Sequence, residues 1–374
     1  MRVQTSENSV GTVMDANDFI IGLDDPILIT GASGFIGARV IEGLVQRGFR
    51  NLRCFVRPSA HSAKVETIRE RYRGIARIDI IKGNLLSQEN CRQAVEGGVT
   101  IIYHLAAGRG EKSFPDAFAN SVVTTRNLLE AARQDNQLKR FVSISSMSVY
   151  SNRSNPRGRL LDESGAIEDK PHLRGNAYTF AKIKQDELVA DYGRKFGVPY
   201  VIVRPGVVYG PGNETLTGRA GTATFGLFLH VGGRNELPLT YVDNCAEAII
   251  LAGLKRGVDD EIFNVVDDHL PSSNDFLKLY KKNVRSFKSI YVPRIASYLL
   301  CWAWEAYSNW SQGQLPLTYN RRVWHAHWKK TYYTNEKLKT QVGWKPSVSS
   351  NEAFQRYFTS CRQKLKATES LQTA

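Results

Sequence analysis

The sequence has few of the residues that would cross-link a small protein or build a metal site. Its five cysteines are scattered over 374 residues, odd in number and free of CxxC spacing, which argues against a disulfide framework and a structural zinc site. No internal repeat is visible. The first 19 residues do not pair a cationic stretch with an apolar run, so we expect no signal peptide. These absences favour a globular protein in a reducing, cytoplasmic setting.

Long hydrophobic runs are also missing. The most apolar stretch, residues 295–304, is rich in aromatic side chains but shorter than the roughly 20 residues that cross a bilayer. We interpret it as a helix that packs over a substrate pocket. Contact with a membrane surface, with Trp302, Trp304 and Trp310 as anchors, is the less favoured alternative.

The charge is strongly positive, at +14, and the excess of Lys and Arg lies in the body and the C-terminal third of the chain. No nucleic-acid-binding motif accompanies it, so we expect an anionic nucleotide or small-molecule substrate rather than nucleic acid. A basic surface without any partner is the alternative. His325 and His327 lie in one basic segment, "NRRVWHAHWKK", but lack a third ligand, and we predict no metal site.

Strand and helix patterns alternate along the first two thirds of the chain. A parallel, doubly wound α/β sheet of the Rossmann type is the architecture that this alternation predicts. A further helix is expected over residues 241–254, with Asp243 or Asn244 as its N-cap. The predicted sheet strands cover residues 26–30, 52–57, 78–83, 100–107, 140–146 and 200–205.

The predicted domains follow from where the alternation stops. A dinucleotide-binding domain is expected first, followed by a smaller substrate-binding domain over the carboxyl edge of the sheet. Both ends of the chain are predicted to be flexible tails. The boundaries are 1–24 for the first tail, 25–205 with 241–268 for the dinucleotide-binding domain, 206–240 with 269–360 for the substrate-binding domain, and 361–374 for the second tail.

The first strand is followed by "TGASGFIG", a glycine-rich turn that opens an amphipathic helix. A tight reversal at Gly31, a close approach of pyrophosphate at Gly34 and close helix packing at Gly37 all require glycine. The helix N-terminus adds free N–H groups and the positive end of its dipole. We therefore predict a dinucleotide site here, with Phe35 and Ile36 among its contacts.

The second strand ends in "FVRPSA". In NAD-binding sites an Asp or Glu at the end of this strand usually binds the ribose 2′-hydroxyl. The residue at that place is Arg57, which can meet a 2′-phosphate instead. The cofactor is therefore predicted to be NAD(P), with NADP favoured over NAD. Stacking of Arg57 on the adenine, with little discrimination, is the alternative.

Tyr178 and Lys182 lie one helical turn apart in "GNAYTFAKIKQ", and the fifth strand ends in the hydroxyl-rich "SISSMSVY". A phenol titrates near pH 10, so it is a poor base at neutral pH unless cations lie close by. Lysine and a nicotinamide cation would supply them. Tyr178 could then accept a proton from a substrate hydroxyl while hydride leaves the carbon that bears this hydroxyl.

These motifs, together with "GNLL", "YHLAA", "VRPGVVYGPG" and "FNVVDD", give the sequence a clear resemblance. It is similar to the extended short-chain dehydrogenase/reductases, the NAD-dependent epimerase/dehydratase type, over about residues 26–360. The resemblance implies that Tyr178 and Lys182 are the catalytic pair and that Ser146 is the catalytic serine, with Ser145 as an alternative. It also implies a homodimer formed through a four-helix bundle that includes the Tyr178 helix.

The resemblance extends to the cofactor contacts. Asn84 stands where such proteins usually carry Asp. A second difference is that the asparagine of the family aligns with Ser121, next to Asn120, so the contact made by that asparagine is left unassigned. The further contacts that the resemblance implies are Asn84 and Leu85 beside the adenine, Leu105, Ala106 and Ala107 along the cleft, and Pro205 and Val208 at the nicotinamide end.

The two residues after Ser146 narrow the reaction. Similar 4,6-dehydratases have Thr–Asp–Glu where this chain has Ser146–Met147–Ser148, so a dehydratase is not expected. Epimerisation or oxidation of a nucleotide-sugar is favoured. A dehydrogenase or reductase of a bulky hydroxyl or keto compound, of the 3β-hydroxysteroid or dihydroflavonol type, is the alternative, because no arginine pattern for a diphosphate is evident between Tyr209 and Tyr241. A non-catalytic dinucleotide-binding protein is a lesser alternative.

Overall fold

A computed structural model describes residues 18–59, 62–108, 113–134, 137–224, 226–312 and 314–373. Short apolar runs bounded by turns form buried strands, as expected for a parallel sheet covered on both faces. The strands are β1 Ile27–Thr30, β2 Asn51–Val56, β3 Arg77–Lys82, β4 Ile101–His104, β5 Arg140–Ile144, β6 Arg159–Leu161, β7 Tyr200–Pro205, β8 Val207–Tyr209, β9 Gly221–Thr224, β10 Leu227–His230, β11 Leu239–Tyr241, β12 Glu261–Val265, β13 Ser289–Tyr291 and β14 Thr331–Tyr333.

Helices connect these strands and cover both faces of the main sheet. The amphipathic helix that follows the glycine-rich turn buries its apolar stripe, including Val40, Ile41 and Leu44, against the sheet. The helices are α1 Gly37–Gln46, α2 Ala63–Arg71, α3 Gln88–Val95, α4 Phe114–Phe118, α5 Thr124–Arg133, α6 Ala177–Phe196, α7 Val242–Leu254, α8 Ser273–Asn283, α9 Arg294–Trp310, α10 Arg321–His327 and α11 Ser350–Thr373. No helix in the described part of the chain is long and apolar enough to cross a membrane.

The main sheet has seven strands in the order β12-β7-β5-β4-β1-β2-β3. All its neighbours are parallel, with Ile27 of β1 opposite Leu52 of β2 on one side and Ile101 of β4 on the other. The predicted doubly wound fold is confirmed. The strand order reverses between β1 and β4, and ligands of such sheets bind in the crevice at the carboxyl ends of the strands at that point.

The packed chain begins and ends differently from the expected tails. Within the predicted first tail, Phe19 and Ile21 are buried, and the Phe19 ring lies 5.7 Å from that of Phe49. Residues 1–17 lie outside the described residues. At the other end, α11 continues through most of the predicted second tail, because Cys361 extends the buried face begun by Tyr357 and Phe358.

The smaller region is assembled from short strands and helices over the carboxyl edge. It contains a three-stranded sheet in the order β13-β10-β9 and the two-stranded pairs β11-β8 and β14-β6. Its core is aromatic, with Tyr209, Tyr241, Phe276 and Tyr357 in one cluster. The division of the chain into two domains stays a prediction.

Candidate active site

The glycine-rich turn after β1 has the tight geometry that its sequence requires. Gly31 has a φ of +67°, which favours glycine, and the Gly34 N–H donates to the Gly31 carbonyl at 2.9 Å. A Cβ on Gly37 would lie 2.3 Å from that same carbonyl oxygen. At each of these positions a side chain would clash with the backbone or strain it, so glycine is required.

The start of α1 fits the phosphates of a dinucleotide. Ile36 occupies the N-cap position, and no side chain caps the helix, so the N–H groups of the first turn are not satisfied by a cap. Phe35 packs under Arg39, whose guanidinium carbon lies 5.0 Å from the ring centroid. The turn and the uncapped helix start offer backbone N–H groups that could hold a pyrophosphate.

The predicted adenosine contacts lie at the ends of β2 and β3. Arg57 directly follows β2 and is exposed. The Asn84 side-chain oxygen accepts from the Leu86 N–H at 3.0 Å, which fixes the turn after β3. Leu85 is buried beneath this turn, and its carbonyl accepts from Asn127. Asn84 therefore has a clear structural role in this chain.

The predicted cleft residues follow β4 and β7. The backbone of Leu105 and Ala106 passes within 2.9 Å of the place where a Gly31 Cβ would stand, and Ala107 continues this half-buried segment. Pro205 ends β7 and is buried, whereas Val208, in β8, is half-buried. These segments meet the glycine-rich turn at the carboxyl edge of the sheet.

The catalytic candidates come together at the same edge. The side chain of Ser146, which follows β5, lies beside Tyr178, close enough to lower the pKa of its hydroxyl. The Lys182 ammonium lies 5.9 Å from the centre of the Tyr178 ring and donates to the Ile144 carbonyl at 2.5 Å. Asn176 caps α6 by accepting from the Thr179 N–H, so the helix begins at Ala177, one residue before Tyr178.

The alternative serine points elsewhere. The Ser145 hydroxyl donates to the buried carboxylate of Asp186 at 2.8 Å. Asp186 also receives both Nε and Nη2 of Arg204, at 3.1 and 3.0 Å, in a pair that is almost wholly buried. The arrangement leaves Ser146, and not Ser145, beside Tyr178.

Burial dominates the protonation of the Tyr–Lys pair. It raises the pKa of Tyr178, and the Ser146 side chain opposes that rise. It lowers the pKa of Lys182 to about 8, and the negative charge of Asp186 opposes that fall. Lys182 is therefore still mostly protonated at neutral pH, one helical turn from a phenol that needs a nearby cation to ionise.

A chain of buried hydrogen bonds supports Lys182 from behind. Its ammonium donates to Gln185 at 2.9 Å, and the Gln185 amide donates to Thr125 at 2.9 Å. Thr125 and Thr30 lie on either side of the His104 ring, each hydroxyl 2.8 Å from a ring nitrogen. Burial, followed by the charge of Lys182, lowers the pKa of His104 to about 3, so the ring is neutral.

The sequence analysis did not predict this chain of hydrogen bonds, although the positions of its residues in the sequence give some indication of it. Gln185 lies three residues after Lys182 on the buried side of α6, and His104 and Thr30 end neighbouring strands. Only the register of β1 against β4 brings the last two together. Ser121, the unassigned family position, instead accepts from the Gly108 N–H at 3.0 Å through its hydroxyl.

Cationic side chains gather next to the catalytic segments. Arg174 is buried four residues before Tyr178 and donates to the carbonyls of Ser148 and Tyr150. Its Nη2 atom is buried and has no hydrogen-bond partner in the described structure. Burial, followed by the charge of Arg219, lowers the pKa of Arg174 to about 10, so it remains cationic at neutral pH.

Arg219 adds a second cation to this cluster, and His327 lies beside both arginines as a neutral ring. Arg219 is largely buried and donates to the Tyr333 hydroxyl at 3.2 Å. Burial, Arg219 and Arg174 together hold the pKa of His327 well below its usual value. Arg219 lies between Tyr209 and Tyr241, where the sequence shows no arginine pattern for a diphosphate, and that expectation stays a prediction. A lone Arg in a glycine-rich loop carries no periodic signal, and only the fold shows that it is buried.

Asp243 does not have the predicted capping role. It lies in the first turn of α7, whose N-cap is Tyr241, and pairs with Arg39 at 2.7 Å. Asn244 does not cap the helix either, because its amide donates to Asp267 at 3.0 Å and to the Val348 carbonyl.

The chain belongs to the NAD dependent epimerase/dehydratase family, whose model matches residues 27–265. The resemblance to the extended short-chain dehydrogenase/reductases is thereby confirmed. An uncharacterized UDP-glucose epimerase, YtcB, of Bacillus subtilis (strain 168) is 31% identical over 193 residues, which are 50% of this chain and 57% of that protein.

Two further similarities agree with this family. A trifunctional UDP-glucose 4,6-dehydratase/UDP-4-keto-6-deoxy-D-glucose 3,5-epimerase/UDP-4-keto-L-rhamnose-reductase of Arabidopsis thaliana is 27% identical over 70% of this chain and 40% of its own length. The solved UDP-glucuronic acid 4-epimerase from Bacillus cereus, in complex with UDP-glucuronic acid and NAD, superposes with a TM-score of 0.66. It is 21% identical, over 91% of this chain and 99% of that one, so the likeness shows the fold. The chain spans about half the length of these two sequence relatives.

Proposed function

We propose that this protein oxidises, or oxidises and epimerises, a hydroxyl-bearing carbon of a nucleotide-sugar, with NAD(P) as cofactor and Tyr178 as the base. The observation that carries the proposal is the placement of Ser146 beside Tyr178, with the Lys182 ammonium 5.9 Å from the centre of the Tyr178 ring. This group stands at the same sheet edge as the glycine cradle after β1. Proton transfer and hydride transfer at one carbon need that proximity.

In this proposal each side chain has one task. Tyr178 takes the proton of the substrate hydroxyl, and Ser146 hydrogen-bonds the same oxygen as charge develops on it. Lys182 holds a positive charge near the phenol, and Gln185 and the Ile144 carbonyl orient its ammonium. A bound nicotinamide would supply the hydride acceptor. Because burial raises the pKa of Tyr178, we expect the tyrosinate to form only once that cationic ring is present.

The cationic cluster of Arg174 and Arg219, with the neutral ring of His327 beside it, supports an anionic substrate. Guanidinium groups bind phosphate oxygens through paired N–H donors, and a buried Nη2 without a partner is costly unless a ligand satisfies it. We propose that a diphosphate contacts this cluster. A UDP-sugar, such as those named for the relatives, is the substrate class we would test first.

A second candidate function is an NADP-dependent dehydrogenase or reductase of a bulky hydroxyl or keto compound. Arg57 favours it, because it stands exposed at the end of β2 where an NAD-specific site would carry an acid. We propose NADP as an acceptable cofactor for the same reason. A cytoplasmic homodimer formed through α6 remains part of the proposal.

The first experiment identifies the nucleotide that the protein holds. The protein is purified without added cofactor and denatured, and the released nucleotide is identified by mass spectrometry. It is then incubated with UDP-glucose or UDP-glucuronic acid and followed by proton NMR. Tightly held NAD(H) with appearance of a 4-epimer supports the epimerase. An empty protein that binds NADPH reversibly, with no epimer formed, points to the second candidate. A protein that binds no dinucleotide at all overturns both.

A further inference from the structure

Helix α9 is built with its apolar side outward. Ser297, Cys301 and Ser308 face inward and are buried, and Ser297 accepts a hydrogen bond from the Trp324 indole at 2.9 Å. The largest aliphatic residues point the other way, with Ile295 and Leu300 exposed to 68% and 61%. An ordinary surface helix shows the opposite distribution.

The outward face forms one continuous apolar surface, here called the α9 face. At 3.6 residues per turn its positions fall within an arc of about 160°, and none of them is charged or carries an amide or carboxylate. Trp310, at 77% exposure, lies near its C-terminal end. Its members are Ile295, Ala296, Leu299, Leu300, Trp302, Ala303, Ala306, Tyr307 and Trp310.

The segment of the chain that carries the α9 face is cationic. Between residues 278 and 330 the chain has ten Lys and Arg residues and a single acid, Glu305. Glu305 is already paired with Arg321 at 2.8 Å. Among the described residues, four exposed cations that lead into the helix have no ion-pair partner: Lys282, Arg285, Lys288 and Arg294.

We propose that the α9 face docks this protein on an anionic phospholipid bilayer, with the helix lying in the interface. Aromatic and aliphatic side chains enter the headgroup boundary while cations at the helix start meet lipid phosphates. This goes beyond the proposed function and does not depend on it. Membrane contact is the less favoured interpretation of the sequence, which offers three tryptophan anchors. Only Trp302 and Trp310 face outward, because the Trp304 indole donates to the Pro316 carbonyl.

Charge argues for lipid over a second copy of the chain. A two-fold contact through this face would bring together two chains that each carry a net charge of +14. An anionic membrane removes that repulsion and adds attraction. The length of α9, 17 residues, and its mixed inner face also suit a helix lying on the surface.

The full chain is tested by flotation with vesicles of phosphatidylcholine and phosphatidylglycerol in a 3:1 ratio, and with pure phosphatidylcholine. We expect flotation with the anionic vesicles, weakened by 0.5 M NaCl. Leu299→Ser/Trp302→Ser should lower the partition coefficient about tenfold or more. Lys288→Gln/Arg294→Gln should lower it about tenfold on anionic vesicles only.

A matched control removes apolar residues of similar exposure elsewhere. Ile75→Ser/Phe196→Ser changes side chains exposed to 59% and 49% and should leave partitioning within twofold. Thermal unfolding of every variant confirms that it folds. The proposal is overturned if the wild type stays unbound at low salt, or if both double variants bind as well as it does. Sedimentation as a dimer that Leu299→Ser/Trp302→Ser alone dissociates, without vesicle binding, also overturns it and assigns the face to self-association.

Discussion

The cofactor side and the substrate side of this protein are assembled from different kinds of sequence. The proposed cofactor cradle comes from eight consecutive residues, 30–37, and its contacts would be made mainly by backbone N–H groups. The proposed diphosphate site takes Arg174, Arg219 and the neutral ring of His327 from three distant segments, and its contacts would be made by side chains. A site of the first kind can be found from spacing alone, whereas a site of the second kind needs the fold.

The largest loss of activity should follow a substitution of Tyr178, which lies between the proposed cofactor and substrate sites. We expect Tyr178→Phe to lower kcat by about 10³-fold or more, because the ring stays but the proton acceptor is lost. The measurement is turnover of whichever UDP-sugar the wild type converts. Cofactor affinity, measured by fluorescence titration with NADH, should change less than threefold. If kcat falls less than tenfold, another group is the base.

A substitution in the glycine-rich turn alone should weaken nucleotide binding while the remainder of the protein still folds. Gly37→Ala places a Cβ 2.3 Å from the Gly31 carbonyl oxygen, so the turn must shift. We expect NADH affinity to fall about 100-fold. The matched control is Gly218→Ala, because a Cβ at Gly218 meets nothing within 4 Å. Equal affinities for the two variants would show that the cradle does not bind the phosphates.

These two positions also show how far the sequence could be used. The strand–turn–helix order, the glycine spacing and the Tyr178–Lys182 pair are local features, and the structure brings these residues together as expected. The His104 chain was not predictable, since its members meet only through the register of β1 and β4 and the burial of α6. Asp243 was misread for a related reason. Its proximity to a helix start was visible, but its partner Arg39 lies 204 positions away.

A substitution in the proposed diphosphate site should weaken substrate binding without changing cofactor binding. We expect Arg219→Gln to raise KM for a UDP-sugar ten- to thirtyfold, about 1.5–2 kcal/mol, with kcat changed less than threefold. NADH affinity should not change. Arg219→Lys keeps the charge and should show a smaller rise in KM. Arg73→Gln removes a cation from an exposed position and serves as the control. An unchanged KM for Arg219→Gln would exclude the cluster from substrate binding.

The smallest expected effect tests whether the buried chain behind Lys182 is fixed in one protonation state. His104 has a pKa of about 3 in the folded protein and an ordinary value near 6.5 when unfolded. The unfolded chain therefore binds the extra proton first, and the stability given by the neutral ring is complete above pH 6.5 and lost as pH falls towards 3. From pH 7.5 to 5.5 this group should lower the free energy of unfolding by about 1.4 kcal/mol.

Other groups titrate over the same range, so the comparison is between urea-unfolding series of wild type and His104→Gln at both pH values. The variant has no titrating ring and should lose about 1.4 kcal/mol less than wild type over that interval, even if it is less stable throughout. Exposed His172→Gln should behave as wild type. Parallel pH dependences for wild type and His104→Gln would mean that the ring can take up a proton in the folded state. The hydrogen bonds from the His104 ring to Thr30 and Thr125 would then not hold Lys182 in a single arrangement.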